Sequence, residues 1–312
     1  MFGILGAPDV DWAIAPDGGR IGAAPGSSVS AMVSLRPHQT IDARRVMAAL
    51  VGTEDYQYRE REIRATGSSS NRTWGSSEIG RQEIQLLGPG QISAGELRSG
   101  PVAFTVPATA LPSFESGILR VRWKLIAWID VGGRDPRFEQ PIVVPLTGAQ
   151  LDPADAAAMG PQVQTAIENQ PVSFWAQPSP IRAGAGFSGA VDVMTPLTLS
   201  DARVELKLNV ATQMGGGIPG ATLLAIAGLA SNAEDGVSDS RILWQGTLTD
   251  GGPAGAWHRY LYAGQLPNGP VVGPVVTAVF PHGAATATMD VVISRRLRPD
   301  VHITRPVAIV SG

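Results

Sequence analysis

The chain has 312 residues, with 24 basic against 27 acidic side chains, 37 glycines, 25 prolines and no cysteine. Charged residues are only 16% and hydrophobic residues 44%, which excludes disorder through excess charge, and the length suits two domains of about 150 residues, each able to bury a core. Lys124 and Lys207 are the only lysines and the formal net charge is −3, so no basic stripe exists to neutralise a nucleic-acid backbone. Without cysteine, disulfides, thiolate nucleophiles and Cys-type zinc sites are all excluded.

In chain order, the stretch Met1 to Asp9 has no cationic start, and its apolar run is shorter than a signal peptide needs. The longest apolar stretch, Ala221 to Ala230, is about half a membrane span. A soluble, cytoplasmic protein without an integral membrane segment is expected. Asp9, Asp11 and Asp17 lack calcium-loop spacing. Val29, Ala31, Val33 and Leu35 alternate with mainly serine, the rhythm of a half-buried strand. Arg59 to Arg64 alternates in charge sign and is expected to face solvent, and Asn71-Arg72-Thr73 is a glycosylation sequon without a secretory signal.

The strongest alternation runs from Leu119 to Val131, with Leu119, Val121, Trp123, Leu125, Ala127, Ile129 and Val131 on one side. Arg120, Arg122, Lys124, Ile126 and Trp128 take the other side. Trp123 is therefore assigned to the core and Trp128 to the opposite face. Residues 149–171 form a linker rich in Ala, Gln, Asp and Pro, in which Asp152 and Pro153 fit the N-cap and first turn of a short helix ending at Met159. Gly184 to Gly189 matches G-x-G-x-x-G, but Ala190 to Val193 continues it as a strand, so a turn and strand entry is predicted rather than a dinucleotide site. Val204, Leu206, Leu208 and Val210 alternate with Arg203, Glu205, Lys207 and Asn209 as a further strand.

The chain repeats itself at a period near 158. Val33-Ser34-Leu35 followed by Ile41 to Val46 corresponds to Val191-Asp192-Val193 followed by Leu199 to Val204. A Leu-Pro corner then recurs at Leu111 and Leu266, and both halves finish with an apolar strand after a proline, at Pro141 and Pro306. The fold class predicted is all-β: two tandem antiparallel Ig-like β-sandwiches, with one or two short helices in the linker and insertion. The domains are residues 1–148 and 172–312, the second carrying an insertion at 213–242.

Phe104-Thr105-Val106-Pro107, the corner Leu111-Pro112-Ser113-Phe114, and the long strand ending at Ile129-Asp130 together resemble the arrestin N-terminal sandwich. The second half, opening at Ser179-Pro180-Ile181-Arg182, is similar to the arrestin C-terminal sandwich. The resemblance covers roughly residues 20 to 310 and is closest to bacterial sporulation-control and retromer-type arrestin-like adaptors. It implies a two-domain, non-enzymatic adaptor. The lysine-based phosphate sensor of animal arrestins has no counterpart in a chain with two lysines, so phosphate-triggered activation does not carry over.

The four histidines, His38, His258, His282 and His302, show no metal-binding spacing, and neither G-x-S-x-G nor H-E-x-x-H occurs. No cofactor is expected. The candidate partner-binding surfaces are the apolar Leu223, Leu224, Ile226 and Leu229 in the insertion, the basic Arg120, Arg122 and Lys124, exposed sandwich edges able to accept a peptide strand, and the groove between the two domains. The function expected is a cytoplasmic protein-binding adaptor or scaffold of arrestin-like type. The alternatives are a structural module of a larger secreted or phage-like assembly, and an enzyme or carbohydrate-binding module gathering Asp250, Trp257 and His258.

Overall fold

A computed structural model describes residues 7–17, 22–64, 67–146, 162–167, 170–194, 196, 202–214, 235–267, 278–295 and 298–311. Among them there are twenty-two strands and no α-helix. In the N-terminal half these are β1 (Val10–Pro16), β2 (Ser28–Pro37), β3 (Ile41–Ala43), β4 (Arg45–Arg64), β5 (Gly67–Leu87), β6 (Gly90–Ile92), β7 (Arg98–Thr105), β8 (Phe114–Glu115), β9 (Leu119–Asp130) and β10 (Arg137–Ile142). The C-terminal half adds β11 (Gln162–Ile167), β12 (Gln170–Gln177), β13 (Ile181–Arg182), β14 (Gly186–Val193), β15 (Ala202–Thr212), β16 (Val237–Thr247), β17 (Thr249–Ala254), β18 (Trp257–Gln265), β19 (Ala278–Phe280), β20 (Gly283–Arg295), β21 (Arg298–Val307) and β22 (Ile309–Val310).

The chain divides into two compact units, and each is discontinuous. The first comprises Met1–Glu54, Ser76–Ser113 and Val121–Pro145; the second comprises Asp55–Gly75, Phe114–Arg120 and Leu146–Gly312. The outer parts of β4 and β5 and the short β8 thus count with the second unit, where a division at residue 148 would place them in the first. Backbone bonds explain the assignment: Gln57 N donates to Ile118 O at 2.8 Å and Arg59 N to Asp235 O at 2.8 Å. The Thr212 hydroxyl donates to Gln57 O at 2.6 Å, and the Tyr56 ring stacks on His282 at 3.9 Å between centroids. Gln162–Ile167, inside the segment expected as linker, pairs antiparallel with β12. The expected linker helix at 152–159 lies outside the described residues, as does most of the insertion.

In the first unit a β1-β2-β7 sheet faces the sheet β10-β9-β4-β5. Ile14, Val29, Val33, Val102 and Phe104 from one meet Ala48, Leu50, Trp123, Leu125 and Ile142 from the other in one core cluster. The β9 alternation is realised as drawn from the sequence, with every second residue from Leu119 buried. The Leu-Pro-Ser-Phe corner is tied down by its own side chains. Ser113 N donates to Val144 O at 2.8 Å, Val144 N donates to Ser113 Oγ at 2.9 Å, and Trp123 Nε1 donates to Leu111 O at 2.8 Å. A Trp ring needs room, and a Cβ on Gly52 or Gly80 would come within 2.8 and 3.0 Å of it.

The second unit repeats the strand order. Its β12-β14-β18 corresponds to β1-β2-β7, and its β21-β20-β15-β16 to β10-β9-β4-β5, with β11 and β17 added at the flanks of the first sheet. The internal duplication seen in sequence is therefore a duplication of topology. The two sheets meet through Phe187 and Trp244, whose rings are edge-on at 5.0 Å, and through Tyr262, whose hydroxyl lies 2.9 Å from Met289 Sδ. The same hydroxyl donates to Trp175 O at 2.8 Å. Arg305 is 1% exposed; its Nη1 donates to Phe174 O at 3.2 Å.

Candidate functional site

The three basic residues singled out on β9 lie on its non-core side, as the alternation requires. They are not a vacant cationic patch. Lys124 Nζ bonds Glu139 Oε2 at 2.8 Å across the β9–β10 ladder. That charge, together with Arg137, holds the Glu139 carboxyl below its ordinary range, the Lys124 hydrogen bond contributing most. Arg120 lays its guanidinium over Trp74 at 4.6 Å and reaches Glu115 at 3.8 Å. Side chains already engaged inside the chain attract a ligand less than their count suggests. Leu223, Leu224, Ile226 and Leu229 lie outside the described residues.

Asp250 and His258 do come together. Asp250 Oδ1 sits 2.8 Å from His258 Nε2 and accepts from Gly252 N at 2.7 Å, and these bonds, the backbone one first, hold Asp250 below its ordinary value. Asp250 is exposed, and the Asp–His contact spans the β17–β18 hairpin, where Trp257 stands opposite Ala254 at the turn. His38 pairs with Asp11 at 3.0 Å, and His282 stacks on Tyr56. Among the described residues no three His, Asp or Glu side chains converge as metal ligands, and no helix is long and apolar enough to cross a membrane. The G-x-G-x-x-G segment is a turn and strand entry: Gly184 has φ 81° and β14 follows.

One concavity lies wholly within the first unit. It is a groove of about 750 Å³ lined by residues 7–10 and Trp12, by Arg81, by Ile126 and Trp128 on β9, and by Arg134 to Arg137 in the β9–β10 turn. Trp128 faces away from the core, as its place in the alternation demands, and Arg81 lies over its ring at 5.8 Å. The cations differ in availability. Arg81 bonds Glu83 and also Glu78 at 3.2 Å, and the Glu83 bond leads in raising its pKa, while Arg137 is paired with Glu139. Arg134 is exposed and has no ion pair among the described residues. Asp135, also exposed, folds back on its own turn instead, accepting from Val131 N at 3.0 Å to close it.

The groove adjoins the start of β1, at Val10 and Trp12. Among the described residues, the backbone of Val10–Pro16 bonds only to β2, through seven consecutive antiparallel pairs. Apolar rings, a free guanidinium and an unpaired strand edge are the elements that hold an extended peptide segment: ladder bonds supply affinity and side-chain pockets supply selectivity. Sequence reasoning placed Trp128 correctly but did not assemble this site. Its parts come from β1, β5, β9 and a turn, and no local spacing links them. No family model matches the chain, and no curated protein matches it.

Proposed function

We propose that the protein is a non-enzymatic, arrestin-like adaptor or scaffold of the cytoplasm that binds other proteins through an extended segment. The observation that carries this reading is the groove of Trp12, Ile126, Trp128 and Arg134 at the start of β1, whose outer edge is open. Such a site binds rather than transforms. It offers two aromatic surfaces, one uncommitted cation and backbone donors and acceptors, which suit a strand bearing an apolar residue and a carboxylate. The duplicated two-sheet topology and the locked Leu111–Phe114 corner support the arrestin-like resemblance at the level of fold.

The test is capture from lysate of the source cells with full-length bait. Three further baits carry Trp128→Ala, Arg134→Glu, and a short Gly/Ser linker in place of residues 215–234, which spares β16, each checked for folding by circular dichroism. A partner held by the wild type and released by the first two variants supports the groove. A partner lost only from the 215–234 replacement moves the contact to the insertion, and no specific partner in the lysate overturns the adaptor reading.

A further inference from the structure

The two units contain several edge strands, and nearly all are closed to further pairing. On β7, Gln82 occupies the Thr105 peptide: its amide donates to Thr105 O at 2.6 Å and its carbonyl oxygen accepts from Thr105 N at 3.2 Å. β10 contains Pro141 and continues to Val143, whose carbonyl accepts from Ala23 N at 3.0 Å. β5 carries Glu78, Arg81 and Glu83 along its edge. β16 and β17 are interrupted by register shifts, and β17 contains Pro253 as well. β21 contains Pro299 and Pro306, and β11 lies against β21. Proline, bulges, charge and cover are the devices that stop edge-to-edge pairing.

β1 has no proline, bulge or run of charge in its interior, and among the described residues β10 approaches it without pairing. It runs seven residues in unbroken register, with proline only at its last position. Its single charge, Asp11, is already engaged by His38 at 3.0 Å. The strand is also self-complementary. Laid antiparallel on a second copy about Ala13, it sets Trp12 against Ile14, Asp11 against Ala15, and Val10 against Pro16. Core-side residues then meet core-side residues, since Trp12 and Ile14 share the inward side while Asp11, Ala13 and Ala15 are exposed. No like charges face each other, and an aromatic ring pairs with a β-branched side chain, a favourable cross-strand combination. The groove gives the room: its open volume adjoins Val10 and Trp12, where the C-terminal half of the second strand would run.

We infer that β1 pairs with β1 of a second copy of this chain, joining two three-stranded sheets into one of six strands, and that this self-pairing covers the groove until a partner segment displaces it. The inference deepens the adaptor reading by giving that site a regulation: the free edge is presented only by the monomer.

The experiment is sedimentation velocity on the full chain over a wide concentration range, with hydrogen exchange read at low and high concentration. The wild type is expected to dimerise reversibly, with the alternate amides of Val10–Ala15 that point away from β2 gaining protection at high concentration and those of β10 unchanged. Ala13 is exposed, so Ala13→Lys and Ala13→Glu leave the monomer folded while placing like charges opposite one another across the two-fold. Each is expected to raise the dimer dissociation constant roughly fivefold, and mixing the two variants is expected to restore association as a heterodimer. A monomeric wild type, or a dimer indifferent to both charges, overturns self-pairing. Neither result touches the adaptor reading, which stands or falls on capture by the monomer.

Discussion

Lys207 is the residue whose loss the second unit should feel most clearly. On adjacent strands Glu205 stands directly opposite Asp290, and their side chains are only 6% and 8% exposed. Lys207 Nζ joins them, 2.8 Å from Glu205 Oε2 and 2.9 Å from Asp290 Oδ2, while Arg203 Nε takes the other Glu205 oxygen at 2.6 Å. Replacing Lys207 with Met keeps the stem and deletes the charge. Two carboxylates about 5 Å apart at an effective dielectric near 20 repel by about 3 kcal/mol. Breaking a fully buried pair costs ~3–5 kcal/mol; because Lys207 is 21% exposed and Arg203 remains, about 2–4 kcal/mol is expected.

The pH dependence identifies the cause. Burial pushes the Glu205 carboxyl up, but hydrogen bonds from Lys207 and Arg203 outweigh it and hold the group below its ordinary value. Its contribution is therefore present above the unfolded value near ~4.3 and lost as pH falls through the lower folded value. Burial pushes Lys207 down, but its bonds to Glu205 and Asp290 outweigh it and raise the group. That contribution is full below about 10.4 and lost as pH rises through the folded value. Urea unfolding of wild type and Lys207→Met should differ most between about pH 5 and 10 and converge below, as Glu205 takes up a proton. A difference under ~0.5 kcal/mol at neutral pH, within the range of an ordinary surface change, or one constant from pH 3 to 8, would refute the reasoning.

Three further outcomes follow from the packing. Gly189→Ala would place its Cβ 2.1 Å from Trp175 O and 2.2 Å from Tyr262 Oη; since one obstacle is backbone, a loss of about 3 kcal/mol is expected in urea unfolding. Tyr262→Phe removes the donor to Trp175 O and should cost about 1–2 kcal/mol at neutral pH. Burial also holds the Tyr262 phenol above its ordinary value, so wild-type stability should fall as pH rises past about 10, with Tyr262→Phe losing less over that range. Residues 149–312 expressed alone lack Tyr56, Phe114 and Ile118 of the second unit. That fragment should unfold at lower urea than the same unit in the full chain, followed by hydrogen exchange of β15 and β20, and equal protection would refute the discontinuous assignment.

Much of this fold was legible because half-buried strands write their environment into every second residue. β9 and β15 announce themselves through Val121-Arg122-Trp123-Lys124 and Val204-Glu205-Leu206-Lys207; β9 alternates throughout, and β15 does so except where Glu205 and Ala211 are buried on its other side. Other elements carry no such signal. In β4, Val46 to Val51 are buried without interruption, so this run shows no period of two and gives no hint of a twenty-residue strand. β11 escaped notice inside an Ala- and Gln-rich stretch because six residues pairing with a single neighbour need little apolar patterning. The division of β4 and β5 between the units rests on contacts such as Gln57 with Ile118 and Thr212, which depend on tertiary placement and leave no mark in local sequence.

The candidate site was hidden for a related reason, and the charges show why counting residue types misleads. Arg120, Arg122 and Lys124 stand together in sequence and suggest a basic surface, yet Lys124 is matched by Glu139 and Arg120 by Trp74 and Glu115. Arg134 attracts no attention in Gly132-Gly133-Arg134-Asp135, but the turn consumes Asp135 in a bond to Val131 N and leaves the neighbouring guanidinium uncompensated. The available charge is decided by which carboxylates the backbone has already claimed. Recognition at this groove should accordingly depend on Arg134, whose reversal to Glu alters an exposed turn, far more than on Lys124, whose loss would instead leave Glu139 to Arg137 alone.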